Sequence, residues 1–188
     1  MCSVCVGPKL GAMGKRMIAG LAFAVLAVTL QGCDSRGRPK DAVAGLYQAL
    51  ATAQVRGAPS GAQLETIAPY LSDDLHEGLR AARELQESER ARAPGEKPPF
   101  VDGDLFSSLF EGPSRFEIVG DTRSENRHLV AVRFTYDGAS PPVTWQDVAV
   151  VEFEQGRWVV SDVRYGGDWD FAAKGTLRQA LDTVSPRE

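Results

Sequence analysis

Residues 143–165 read VTWQDVAVVEFEQGRWVVSDVRY, and their pattern decides the fold. Residues 143–153 and 157–165 are rich in β-branched and aromatic side chains and alternate with period two, which marks two strands. Glu154-Gln155-Gly156 separates them, and the glycine supplies the positive φ that a tight hairpin turn requires. Toward the amino terminus, residues 115–121 and 128–137 read as a second pair of strands around the polar turn 122–126, with Val130, Val132, Phe134 and Tyr136 on one face. An antiparallel sheet with one covered face follows.

The cover comes from the preceding residues. Residues 41–99 contain only Tyr47 and Tyr70 as aromatics, whereas residues 100–171 hold twelve of the fifteen in the chain, so helices come first and sheet second. Val43, Leu46, Tyr47, Leu50 and Ala53 follow the spacing of an amphipathic helix with Asp41 in the capping position. Residues 56–61 (RGAPSG) end it, and residues 62–67 allow a short helix before Pro69. Ser72 with Asp73 and Asp74 caps a third helix, whose apolar line is Leu75, Leu79, Ala82 and Leu85. Mixed charges on its other faces describe a solvated surface. Residues 93–99 (APGEKPP) are a connection, residues 100–110 (FVDGDLFSSLF) are buried and irregular, and residues 176–184 close the chain as a helix with Leu177, Ala180, Leu181 and Val184 on one side. The expected fold is α+β over residues 41–188, with amino-terminal helices packed on a curved antiparallel sheet and a short carboxyl-terminal helix.

The opening helix with Leu46, Tyr47 and Leu50 on one side, the Pro-bounded middle, and the last strand Gly156-Arg157-Trp158-Val159-Val160-Ser161-Asp162-Val163 together resemble the cone-shaped nuclear-transport-factor-two-like superfamily. The likeness covers residues 41–171 and is greatest to its uncharacterised families in bacterial envelope lipoproteins. It implies a sheet wrapped round the first helix, with Trp158 packed inside. Some members are isomerases, dehydratases or cyclases that use a pocket Asp, His or Tyr. Others bind partners or ligands without chemistry, so function has to be argued from the site.

The first residues speak to location. Lys15 and Arg16 precede an uncharged run of 14 residues, 17–30 (MIAGLAFAVLAVTL), shorter than the roughly 20 that span a bilayer and right for the apolar core of a signal peptide. The run ends in Leu30-Gln31-Gly32-Cys33, which resembles the lipobox of bacterial lipoproteins. The resemblance implies a signal peptide over residues 1–32, cleavage between Gly32 and Cys33, and lipid on Cys33, palmitate included. Residues 33–40 are then the lipidated cysteine and a short tether, whose seven residues after Cys33 reach at most about 23 Å. Asp34 resembles the signal that retains such proteins in the inner membrane, and the expected place is the periplasmic side of that membrane. Cys2 and Cys5 fall in the discarded segment, which leaves Cys33 as the lone cysteine of the mature chain. Beyond Cys33 stand 18 basic and 25 acidic residues, a net −7 against −4 for the whole chain, which excludes a nucleic-acid partner driven by clustered basic charge.

Sequence signals for chemistry are sparse. Gly-rich phosphate loops, G-x-S-x-G and H-E-x-x-H are missing from the sequence. His76 and His128 read as surface residues, and Asp102-Gly103-Asp104 reads as a tight turn, because Phe106 stands where a calcium loop needs oxygen. No metal or cofactor is expected. A general acid or base in the cone would come from Asp102, Asp147 or Asp162. Asp147 is the best placed, since Val143, Trp145, Asp147, Ala149, Val151 and Phe153 share one face unless a bulge near Gln146 turns them round. Tyr47 and Tyr136 are candidate pocket donors or core tyrosines, and Trp169 either caps the cone or anchors a partner. The expected function is a membrane-anchored, non-enzymatic module that binds an envelope protein or a small hydrophobic ligand. The alternative is an isomerase or dehydratase using a pocket carboxylate.

Overall fold

A computed structural model describes residues 37–182. The elements run α1 Pro39–Ala53, α2 Gly61–Ile67, a single 3-10 turn Ala68–Tyr70, α3 Asp73–Arg92, β1 Arg115–Ser124, β2 Arg127–Tyr136, β3 Val143–Glu154, β4 Arg157–Arg164 and α4 Leu177–Asp182. The fold is α+β, with a four-stranded antiparallel meander in the order β1-β2-β3-β4 and a short closing helix.

α1 starts two residues before the expected boundary, so Pro39 and Lys40 of the expected tether are helical. Pro39 occupies the first helical position, where its missing N–H has no partner to lose. Asp41 is therefore not the capping residue: it sits in the first turn and accepts the backbone N–H of Arg38 at 3.1 Å. Val43, Leu46 and Tyr47 are buried, and α1 touches all four strands. α3 begins as expected, with Ser72 accepting the N–H of Leu75 at 3.2 Å, and it buries Leu75, Leu79 and Ala82. The backbone N–H of Ser72 donates to the Val160 carbonyl at 3.0 Å, which ties the start of α3 to the outer edge of β4. Leu177 and Leu181 of α4 join the same core; Val184 lies outside the described residues.

The first hairpin is tighter than the sequence suggested, because pairing continues to Ser124 and resumes at Arg127. The second turns at Gln155 and Gly156, both at positive φ (49° and 85°), a backbone twist that matches the strands it joins. No bulge interrupts β3 against β2, where the register runs unbroken from Arg127 opposite Glu152 to Tyr136 opposite Val143. The irregularities lie elsewhere: in β1 the register shifts between Ile118 and Gly120, and in β4 Val150 pairs with Asp162 and Val151 with Val160, leaving Ser161 as the extra residue. That extra residue puts Val163 with Val160 in the core and turns Asp162 away.

Trp158 corrects a further expectation. It is half-buried and sits at the hairpin end opposite Phe153, which is 45% exposed. Its ring packs edge-on against His128 at 4.9 Å and Phe153 at 5.1 Å. The large buried ring of the sheet is Phe134, set between Tyr47 at 5.0 Å and Trp145 at 5.4 Å.

Candidate functional site

The unbroken β2–β3 register carries Asp147 into the interior, where it has no exposed surface. Its carboxylate is fully used. Oδ2 accepts the N–H of Ser108 at 2.8 Å and the indole N–H of Trp145 at 3.1 Å. Oδ1 accepts the N–H of Gly166 at 2.8 Å and the Ser108 hydroxyl. The Ser108 Oγ in turn accepts the N–H groups of Gly166 at 3.1 Å and Gly167 at 3.0 Å, and the Ser108 carbonyl accepts the N–H of Ala173 at 2.9 Å. Three segments distant in sequence, the loop before β1, the middle of β3 and the segment after β4, are thus clasped on one buried side chain. A buried carboxylate that accepts four hydrogen bonds leaves no oxygen for a substrate.

Two of the tyrosines reach the same loop. Tyr47, buried, donates its hydroxyl to the Phe106 carbonyl at 3.0 Å, and Tyr165 donates to the Leu105 carbonyl at 2.6 Å. Burial pushes both phenols above their ordinary range, with the neighbouring carboxylates Asp104 and Asp147 adding to the effect, so both stay neutral donors. Trp169 is half-buried, its ring edge-on to Trp145 at 5.9 Å, so it stands beside the clasp. Phe171, two residues on, is 93% exposed. Tyr136 stands apart from this group and closes over Gly138, where a Cβ would meet its ring. Asp102 is exposed and pairs with Lys97 at 3.0 Å, and Asp162 accepts the N–H of Arg178 at 3.0 Å and of Val163 at 2.8 Å. His128 is not a free surface histidine, since its Nδ1 lies 2.7 Å from Asp121 Oδ1. Cys33, Gly32 and Asp34 lie outside the described residues.

The residue that sequence reasoning passed over is Asp104. A pocket of about 350 Å³ opens between the carboxyl-terminal end of α1 and the start of β1, and its wall includes Tyr47, Leu50, Arg56, Asp104, Phe106 and Phe116. Asp104 Oδ1 accepts the N–H of Phe106 at 2.6 Å, the local turn that an Asp makes with the backbone two residues on. Oδ2 has only the Ser107 hydroxyl, at 3.3 Å. Burial pushes this carboxyl up to about 6 against the pull of the Phe106 N–H, the Ser107 hydroxyl and the Arg56 guanidinium. The local signal is Asp104-Leu105-Phe106-Ser107, an Asp able to turn back on its own backbone, and the overlapping Asp102-Gly103-Asp104 pattern masks it. A second, polar pocket of about 320 Å³ lies where β3 and β4 meet the amino-terminal ends of α3 and α4; there Arg127 pairs with Glu152 at 2.8 Å and Arg178 with Asp74 at 3.5 Å. Among the described residues no cluster of three metal-ligating side chains forms.

The uncharacterised lipoprotein YbjP of Escherichia coli strain K12 is 29% identical to this chain over 119 residues, which are 63% of the chain and 64% of YbjP. The chain thus spans less than two thirds of that relative. No protein-family model and no solved structure matches. Among the described residues no helix is long and apolar enough to cross a membrane.

Proposed function

We propose that this chain is a lipid-anchored protein of the bacterial envelope whose folded part binds a ligand without chemistry. Two observations support the anchor: the Leu30 to Cys33 sequence and the likeness to a lipoprotein. On this reading Cys33 carries the lipid, the domain faces the periplasm, and Asp34 holds it at the inner membrane. Replacing Cys33 with Ser then abolishes palmitate labelling, and Asp34→Ser moves the protein toward the outer-membrane fraction of an enteric host.

The non-enzymatic reading rests on Asp147. A general acid or base must reach the proton it moves, whereas this carboxylate is sealed by four donors and lines neither pocket. The pocket by Asp104 offers room for a small molecule instead. The test is a metabolite screen of the purified protein, with Asp147→Asn beside the unaltered chain. Binding without turnover is expected, and turnover abolished by Asp147→Asn at unchanged folding would restore the isomerase or dehydratase alternative. A protein partner is the second reading, favoured by the exposure of Phe171 next to Trp169. It predicts that Trp169→Ala or Phe171→Ser reduces crosslinking to an envelope protein in intact cells.

A further inference from the structure

The pocket beside α1 has two chemically unlike parts. In one, the rings of Tyr47 and Phe116 lie 5.5 Å apart and share the wall with Phe106 and Leu50. The other is built around Gly112, which has φ +75° and is buried. A Cβ on Gly112 would stand 2.6 Å from Asp104 Oδ2 and 3.2 Å from Arg56 Nη1. Carboxylate and guanidinium therefore both border the space that a Cβ on this glycine would fill, yet they form no ion pair.

Each keeps unused capacity. Arg56 donates one N–H to the Glu111 carbonyl and retains others. Asp104 Oδ2 has only the long contact with Ser107. A purely cationic ligand would meet Arg56, a purely anionic one would meet Asp104, and an apolar one would strip water from both charges without replacing it. A ligand carrying both charges satisfies both groups at once.

We propose that this pocket binds a small zwitterion with an apolar side chain, of the phenylalanine kind, its ammonium on Asp104, its carboxylate on Arg56 and its side chain against Tyr47, Phe106 and Phe116. This rests on the binding reading above and narrows it to one ligand class. Because the Asp104 carboxyl titrates near 6, the ammonium contact is present at pH 7.5 and fades as pH falls below about 6.

Calorimetric titration of the purified full chain at pH 7.5 tests it with three probes: L-phenylalanine, phenethylamine, which lacks the carboxylate, and 3-phenylpropionate, which lacks the ammonium. L-Phenylalanine should bind at least tenfold more tightly than either. Asp104→Asn, which keeps an oxygen for the Phe106 N–H, should remove the preference over 3-phenylpropionate. Arg56→Gln should remove the preference over phenethylamine. Ala51→Trp, at an exposed position of α1 on the pocket wall, should abolish binding of all three with the melting temperature kept. Equal binding of the three probes, or a preference that survives both charge variants, overturns the proposal. So does the lack of any L-phenylalanine binding. In that last case the wider reading is judged separately: a crosslinked partner or metabolite still lost in Ala51→Trp keeps the binding module and discards only the zwitterion, whereas no ligand of any kind removes both.

Discussion

At the clasp, Asp147 holds three distant segments together with four accepted hydrogen bonds and no exposed surface. At the pocket, Asp104 accepts one short backbone hydrogen bond and one long one from a hydroxyl, and faces open volume. The two carboxylates are close enough for each to shape the titration of Tyr47, so position in the fold separates them less than hydrogen bonding does. A carboxylate with every lone pair engaged is part of the scaffold. One that is partly desolvated and incompletely bonded is a place where a ligand can do what the protein has not.

The comparison breaks most easily at the clasp. Asp147→Ala leaves the N–H groups of Ser108 and Gly166, the Trp145 indole and the Ser108 hydroxyl without their acceptor, so it should cost about 4 kcal/mol or prevent folding. Urea unfolding measures it, and a loss under about 1 kcal/mol would mean that water replaces the carboxylate and the clasp is not sealed.

A smaller effect is expected at the far end of the sheet. Trp158→Ala removes a half-buried ring that touches His128 and Phe153, so about 2 kcal/mol should be lost, less than the ~3–5 of a fully buried tryptophan. A loss in that upper range would place Trp158 in the core after all. Smallest of all should be Arg80→Ala on α3, whose partners Glu77 and Glu84 are exposed with it; thermal unfolding should leave the melting temperature nearly unchanged, and a clear drop would show the charged face of α3 to be more than a solvated surface.

How much was legible follows the range of the interactions. Both hairpins and the inward turn of Asp147 could be read, since strand alternation and tight turns are local. The capped start of α3 was equally local. What made Asp147 a clasp was not legible, because its donors Ser108 and Gly166 lie 39 and 19 residues away in sequence. The Ser161 bulge escaped because Val-Val-Ser-Asp-Val contains no glycine or proline to mark it, and without it the alternation put Asp162 inward with Trp158. Asp104 was missed for a different reason: its role depends on a pocket wall supplied by α1 and β1, and the nearer Asp102, which the sequence made equally eligible, is an exposed partner of Lys97.

The sharpest single measurement replaces each carboxylate by its amide and compares urea unfolding from pH 4 to pH 7.5. Asp104 has its folded carboxyl near 6 and an ordinary value near 4 when unfolded. Between those values the folded protein holds a proton that the unfolded chain releases, so this group lowers stability as pH rises, by on the order of 2 kcal/mol once solvent in the pocket is allowed for. Asp104→Asn should therefore raise stability at pH 7.5 and flatten its slope between pH 4 and 6. Asp147→Asn turns an N–H₂ toward donors that need an oxygen and should lower stability at pH 7.5 by about 2–3 kcal/mol. Opposite signs are the predicted result; two losses of similar size would contradict the division between a scaffold carboxylate and a ligand-facing one.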